Sequence, residues 1–203
     1  HKARGDEVEW FSPLMGGYDR VYSSKVFTFT PEDPYLPPDA IKGGTGYGAS
    51  LTLDREIEHM MPDYSLYGVS NSIGFLTRGC NRKCKWCVVP GKEGGAHAHA
   101  DIDEFTAHRD VVLLDNNVLQ CDHGIQQIEK IAGMDIRIDF NQGLDARLID
   151  PAIAKLLGGI KWIRHIRLAC DHKSQMPAVE KAIRLLRWHN ANPAQLFSYV
   201  LVQ

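Results

Sequence analysis

Three cysteines, Cys80, Cys84 and Cys87, stand within eight positions of the run Arg78-Gly79-Cys80-Asn81-Arg82-Lys83-Cys84-Lys85-Trp86-Cys87. Thiols crowded in this way point to metal ligation, because thiolates are ligands for zinc and for iron–sulfur clusters. The spacing C-x3-C-x2-C supplies three ligands, one fewer than the irons of a four-iron four-sulfur cluster, so one iron would keep an open coordination position. Such an iron can bind and reduce a small molecule as well as pass an electron. The competing occupant is zinc, which needs a fourth donor to complete a tetrahedron, and His97, His99 or Cys121 could supply one. Zinc sites usually use paired C-x2-C units, and here only Cys84 and Cys87 form such a pair. Arg78, Arg82, Lys83, Lys85 and Lys92 surround the thiols, where positive charge would favour thiolates and offset a cluster's negative charge, or simply form a solvated basic loop.

Elements that must hold these residues follow from the hydrophobic pattern. Short apolar runs predict five strands, at Ser72–Leu76, Val111–Asp115, Ile136–Phe140, His165–Ala169 and Phe197–Val202, each rich in the residues a sheet buried on both faces requires. Helical spacing between them predicts helices over Ile102–His108, Gly124–Ala132, Pro151–Leu157 and Pro177–His189, the last with Val179, Ile183 and Leu186 on one side. Asp150 before Pro151 is a helix-start signal. Strand and helix in alternation imply an α/β fold with a parallel sheet, and right-handed crossovers would curl it into a partial or complete barrel. The cysteines follow the first strand, Asp115-Asn116-Asn117 close the second, Asn141-Gln142 follow the third and Cys170-Asp171 follow the fourth. All would therefore meet at the carboxyl ends of the strands, where such folds carry their chemistry.

With 203 residues, 44% of them hydrophobic and 24% charged, the chain can bury a core of one large or two small domains. A net charge of −2 and the lack of a long basic stripe argue against a dedicated nucleic-acid surface. No apolar run approaches the roughly 20 residues that span a bilayer, so no membrane role is expected. Five cysteines, three of them clustered, suit a reducing compartment and a cytoplasmic protein better than a disulfide framework. The start at His1 and the end inside an apolar run lead to the expectation that the chain is a fragment of a longer protein.

The cysteine run at the end of a strand resembles the radical S-adenosylmethionine (radical SAM) superfamily, over roughly residues 70–203. That resemblance implies a partial (β/α) barrel, here lacking its last unit. It also implies a [4Fe-4S] cluster on Cys80, Cys84 and Cys87, and SAM chelating the fourth iron through its amino and carboxylate groups. One electron from a donor such as flavodoxin or ferredoxin would split the sulfonium, and the resulting deoxyadenosyl radical would take hydrogen from a substrate that the sequence leaves open. The alternative is a non-catalytic iron–sulfur or zinc-binding module.

The same resemblance assigns further residues. Trp86 stands where an aromatic packs near the adenine, although a tryptophan buried for its area is an equal reading. Asp115, Asn116 and Asn117 occupy the place of the Gly-Gly-Glu-like motif that receives the methionine ammonium; the residue types depart from that motif, and turn-forming or capping roles also suit them. Asp139, Asn141, Gln142, Asp145 and Arg147 make a polar run after a buried strand. Gly143-Leu144-Asp145-Ala146-Arg147-Leu148 within it is similar to a segment of methylthiotransferase-like barrels, and Arg147 could receive the SAM carboxylate or close a structural salt bridge. Cys121 and Cys170 fit small buried side chains as well as any radical-quenching or ligand role.

Residues 1–69 read as a separate, less regular segment with a helix-like remnant before Gly5, strand-like Val8–Phe11, an apolar run Val26–Phe29 and a Pro- and Gly-rich linker. This smaller α/β piece resembles the tail of a Rossmann-like cobalamin-binding domain, but the D-x-H-x-x-G signature is absent and no cobalamin is expected. Gly43–Gly48 lacks the Gly-Lys-Ser/Thr of a phosphate loop and is expected to be a mobile loop.

Overall fold

The computed structural model describes residues 1–48 and 53–200 of the chain. It divides into two compact units, His1–Glu58 and His59–Gln203. The protein is mixed α/β, and its longer strands pair in parallel.

In the larger unit the principal strands are β1 (Asn71–Gly74), β2 (Asp110–Leu113), β3 (Arg137–Phe140), β4 (Ile166–Cys170) and β5 (Leu196–Val200). The principal helices are α1 (Asp122–Ala132), α2 (Pro151–Gly159) and α3 (Met176–Trp188). One parallel sheet runs β1-β2-β3 and ends on the short strand Lys161–Trp162. A second runs β5-β4 and ends on Leu144–Asp145. Among the described residues the five strands thus lie in two parallel sheets, and the Asp139 carboxylate of β3 meets the Arg167 guanidinium of β4 in an ion pair between them. Asp139 lies within β3, as the expected strand Ile136–Phe140 has it.

Helix faces follow the apolar spacing. α1 buries Gly124, Gln127, Ile128 and Ile131, α2 buries Ile153, Ala154 and Leu157, and α3 buries Val179, Ala182 and Leu186. The three pack in series, α1 on α2 and α2 on α3. Their core partners are strand residues such as Val111, Leu113, Ile138, Ile166 and Leu168, all fully or almost fully buried. Each such aliphatic side chain contributes roughly 1.5–3 kcal/mol by leaving water. Asp150 caps α2, accepting from Ile153 N–H at 2.8 Å, with Pro151 next to it at the first turn.

Two expectations fail for identifiable reasons. The first strand stops at Gly74 because the N–H groups of Leu76 and Thr77 donate to the Asp115 carboxylate at 2.6–3.2 Å instead of to a neighbouring strand. The helix expected over Ile102–His108 is a single 3-10 turn, Ile102–Glu104. Its Asp101 capping box starts it, and Ser72 Oγ then takes the N–H groups of Ala107 and His108 that a helix would have used. The fifth expected strand extended to Val202; Leu201 and Val202 lie outside the described residues.

In the smaller unit, Val8–Phe11 and Val26–Phe29 are not strands. Tyr18 holds the first segment, taking the Ser12 N–H at 3.1 Å on its hydroxyl oxygen. A turn closes the second with Thr30 N–H on Phe27 O at 3.2 Å, stacking the Phe27 and Phe29 rings. The strands are Tyr22–Ser24 and Ile41–Gly43, paired in parallel. The glycine run expected to be a mobile loop contains a 3-10 turn, Thr45–Tyr47, in which Gly46 is buried. A Cβ there would come within 2.6 Å of Phe27 O, so only glycine fits.

Candidate metal and cofactor site

The cysteine loop leaves β1 and returns, and its two ends are stitched together. Thr77–Arg78 pairs antiparallel with His97–Ala98, and Cys80 N–H donates to Gly94 O at 3.1 Å. Asn81 Oδ1 accepts from Ala96 N–H at 2.9 Å, and Asn81 N–H donates to Gln120 Oε1 at 2.7 Å. Gly79 takes a positive φ of 75°, and a Cβ on it would lie 2.2 Å from Gly95 O. After Cys87 comes one helical turn, Val89–Glu93, whose last residue folds back onto the start of the loop. Glu93 accepts from Arg78 Nη2 at 2.9 Å and from Gly79 N–H at 3.1 Å.

All three cysteines line one cleft of about 490 Å³ at the carboxyl ends of the parallel strands. Trp86, also on its wall, is 51% exposed and presents its indole rather than burying it in the core. Asn116 and Asn117 contribute from the end of β2, Asn141, Gln142, Gly143, Asp145 and Arg147 from the segment after β3, Asp171 from the end of β4, and Tyr199 from β5. The strand ends therefore bring the cysteines together with nearly every other residue that the sequence nominated. A volume of this size suits a nucleotide-sized ligand.

Asp115, Asp139, Cys121 and Cys170 do not line the cleft. Asp115 has another task. It is 4% exposed, and its carboxylate receives Leu76 N–H, Thr77 N–H and Thr77 Oγ1, the last at 2.7 Å. Burial pushes its pKa up against those three donors. Its work is to hold the chain that leads into the cysteine loop. Asn116 is also engaged, donating through Nδ2 to Glu93 Oε2.

Asp145 is the electrostatic centre of the wall. Its side chain, 6% exposed, accepts from Arg82 Nε at 2.9 Å, from Arg147 Nε at 2.6 Å, from Arg147 Nη2 at 2.9 Å and from Asn117 Nδ2 at 3.3 Å. Burial pushes this carboxyl up, and the two guanidinium groups outweigh burial and hold it below the ordinary carboxylate range. Arg147 is raised in turn, chiefly by its hydrogen bonds to Asp145. Arg82 belongs to the cysteine loop and Arg147 to the segment after β3, so one carboxylate fastens the two together. This partnership of Arg82 with Asp145 was not foreseen from the sequence.

Three thiols on one cleft are the ligand type that an iron–sulfur cluster takes. Burial, then the charges of Asp171, Cys87 and Cys80, push the Cys84 thiol up, with Arg147 opposing. Among the described residues no three His, Cys, Asp or Glu side chains converge on a single metal-ion point. None of the side chains named as a fourth zinc donor lines the cleft. His97 Nδ1 meets Gly95 O, the His99 ring lies against His59, and Cys121 precedes α1. Asn117 lines the cleft, and its Oδ1 is buried without a hydrogen-bond partner in the protein. Cys170 is buried beside Met176, as a small apolar residue would be.

No protein-family model matches the chain, and no curated protein matches it. Among the described residues no helix is long and apolar enough to cross a membrane.

Proposed function

We propose that this chain is a radical SAM enzyme in which Cys80, Cys84 and Cys87 hold a [4Fe-4S] cluster and SAM occupies the iron that the polypeptide leaves open. The observation that carries the reading is the convergence, in one cleft, of three thiols with a buried unpartnered acceptor on Asn117 and a fixed guanidinium on Arg147. Those two groups suit the ammonium and carboxylate of an amino acid. When bound, cluster and nucleotide supply one-electron cleavage of the sulfonium to a deoxyadenosyl radical. Trp86 offers an exposed indole face for adenine to stack on. The walls from the ends of β2, β3 and β4 position the ligand and keep water from it, a matter of orientation more than of proton transfer.

The two parallel sheets read together as one partial (β/α) barrel, supported by the Asp139–Arg167 ion pair that links β3 to β4. An external one-electron donor such as flavodoxin or ferredoxin belongs to the proposal, and exposed Lys83 and Lys85 beside the sulfurs support attraction of an acidic carrier. Placement in the reducing cytoplasm follows from the same chemistry.

The test is anaerobic reconstitution of the full chain with iron and sulfide, then SAM and a strong reductant, with chromatography for 5′-deoxyadenosine. About four irons per chain and formation of deoxyadenosine are expected, and Cys84→Ala should lose both. Zinc in place of iron, or cleavage retained in Cys84→Ala, rejects the assignment, and zinc or an iron centre without cleavage points to the binding module.

A further inference from the structure

The three sulfurs are not equivalent. Cys80 Sγ accepts from Arg82 N–H at 3.4 Å and from Asn117 Nδ2 at 3.8 Å, and among the described residues no comparable donor reaches Cys84 or Cys87. Sulfur is large and polarizable, and its hydrogen bonds are correspondingly longer than those to oxygen.

Chemistry fixes which way the Asn117 amide points. Its Nδ2 faces the Cys80 sulfur on one side and Asp145 Oδ2, at 3.3 Å, on the other. Turning the amide over would set Oδ1 against a carboxylate and a thiolate, two groups that can only accept. Asp145 is held in its ionised form by Arg82 and Arg147, so its demand for the amide N–H is permanent at neutral pH. The side chain, 7% exposed, keeps this orientation although it leaves Oδ1 without a partner in the protein.

A hydrogen-bond donor on a cluster-ligating sulfur stabilises the reduced state more than the oxidised one, because reduction adds negative charge there, and it thereby raises the reduction potential. We infer that Asn117 sets the potential of the iron–sulfur centre by donating its Nδ2–H to the Cys80 sulfur, with Asp145 fixing the amide in place; this rests on the iron–sulfur reading above. The step it controls is a one-electron reduction. The electron comes from the external carrier and enters the cluster, and no bond of the protein forms or breaks. Asn117 is a positioning residue, since it acts through Cys80.

The experiment is an EPR-monitored redox titration of the anaerobically reconstituted full chain, as wild type, Asn117→Ala and Asn117→Asp, each with its iron and sulfide content measured. Both variants should hold iron and titrate at more negative potential, Asn117→Ala by roughly tenfold in the one-electron equilibrium, about 59 mV. Asn117→Asp should move further, because it places a second carboxylate near the sulfur. An unchanged midpoint in Asn117→Ala at full iron content overturns the inference and leaves the cluster assignment standing. A wild-type chain that takes up no iron overturns both. If Asn117→Ala alone loses iron, the midpoint of the size-matched Asn117→Asp decides by the same criterion. Loss of iron from both variants makes Asn117 a structural residue and overturns the tuning role.

Discussion

Glu93 accepts a hydrogen bond from Asn116 Nδ2 at 2.8 Å, which ties the exit of the cysteine loop to the end of β2. The same carboxylate holds Arg78 and the Gly79 N–H at the start of the loop, so three stretches of chain meet on one side chain that is largely buried.

Removing that carboxylate should therefore loosen the site without touching a sulfur. Glu93→Ala leaves a half-buried guanidinium and two N–H donors without that acceptor, which costs about 2–3 kcal/mol. For a chain of this size that is a fall of roughly 5–10 °C in Tm. Iron retained after reconstitution should fall with it, and Glu93→Gln, which keeps an acceptor oxygen, should lose less of both. Thermal unfolding and iron analysis of the two variants check this, and equal losses would count against a charge-specific role.

Gly79 makes a sharper prediction. Its φ of 75° disfavours any side chain, and an added Cβ would sit 2.2 Å from Gly95 O, a backbone atom that cannot rotate away. Gly79→Ala must push the two strands of the loop apart at the residue before Cys80. Iron uptake should be abolished while the circular dichroism of the strands and helices is kept. Normal uptake in this variant would show that the loop closes differently.

Asp145→Asn should uncouple the cysteine loop from the segment after β3. The amide retains one acceptor but cannot balance Arg82 and Arg147, and the expected loss is roughly 2–3 kcal/mol. Arg82→Gln removes only one of the two partners and should cost less. In the double variant the losses should be less than additive, because the pair shares one interaction. Denaturant unfolding of the three variants measures the coupling directly, and strict additivity would deny the contact.

Acid should weaken the fold in a defined window. Burial pushes the Asp101 carboxyl up, but hydrogen bonds from Lys130, the Asp103 N–H and Gln127 outweigh it and hold the pKa at about 2. Since the unfolded value is about 3.9, Asp101 contributes stability that is present above about pH 4 and is lost as pH falls toward the folded value. Glu104 is lowered as well: burial raises it, and hydrogen bonds from the Asp101 N–H and His59 prevail. Asp145 has the same sign. Asp115, raised by burial, has the opposite sign: its share is present at low pH and lost as pH rises through its folded pKa. Melting curves between neutral pH and acid should show stability falling most steeply below about pH 4, and Asp101→Asn should flatten that fall.

The parts of the fold legible in the sequence are those set by local periodicity. Val179 and Leu186 announce α3 by their spacing, Asp150-Pro151 announces the start of α2, and the short apolar run at His165–Ala169 announces β4, which alternates in burial where both faces were expected to be covered. What sequence could not reveal depends on partners far along the chain. Ser72 ends the turn at Ile102–Glu104 from 35 residues away, and Arg82 meets Asp145 across 63. No local pattern encodes either contact. Asp115 is instructive in another way: its position beside two asparagines at a strand end nominated it for the cleft, yet two N–H groups beyond β1 needed an acceptor and took it. Glu93 gave no sequence signal beyond being an acidic residue shortly after the cysteines.

The short ladder between Thr77–Arg78 and His97–Ala98 bears on how the protein matures. Its contacts, and the bonds of Asn81 with Ala96 and of Glu93 with Gly79 beside it, join residues near one another along the chain, so closing the loop loses little chain entropy. On the proposed reading, the loop would close first and the cluster would be inserted afterwards, as the final assembly step.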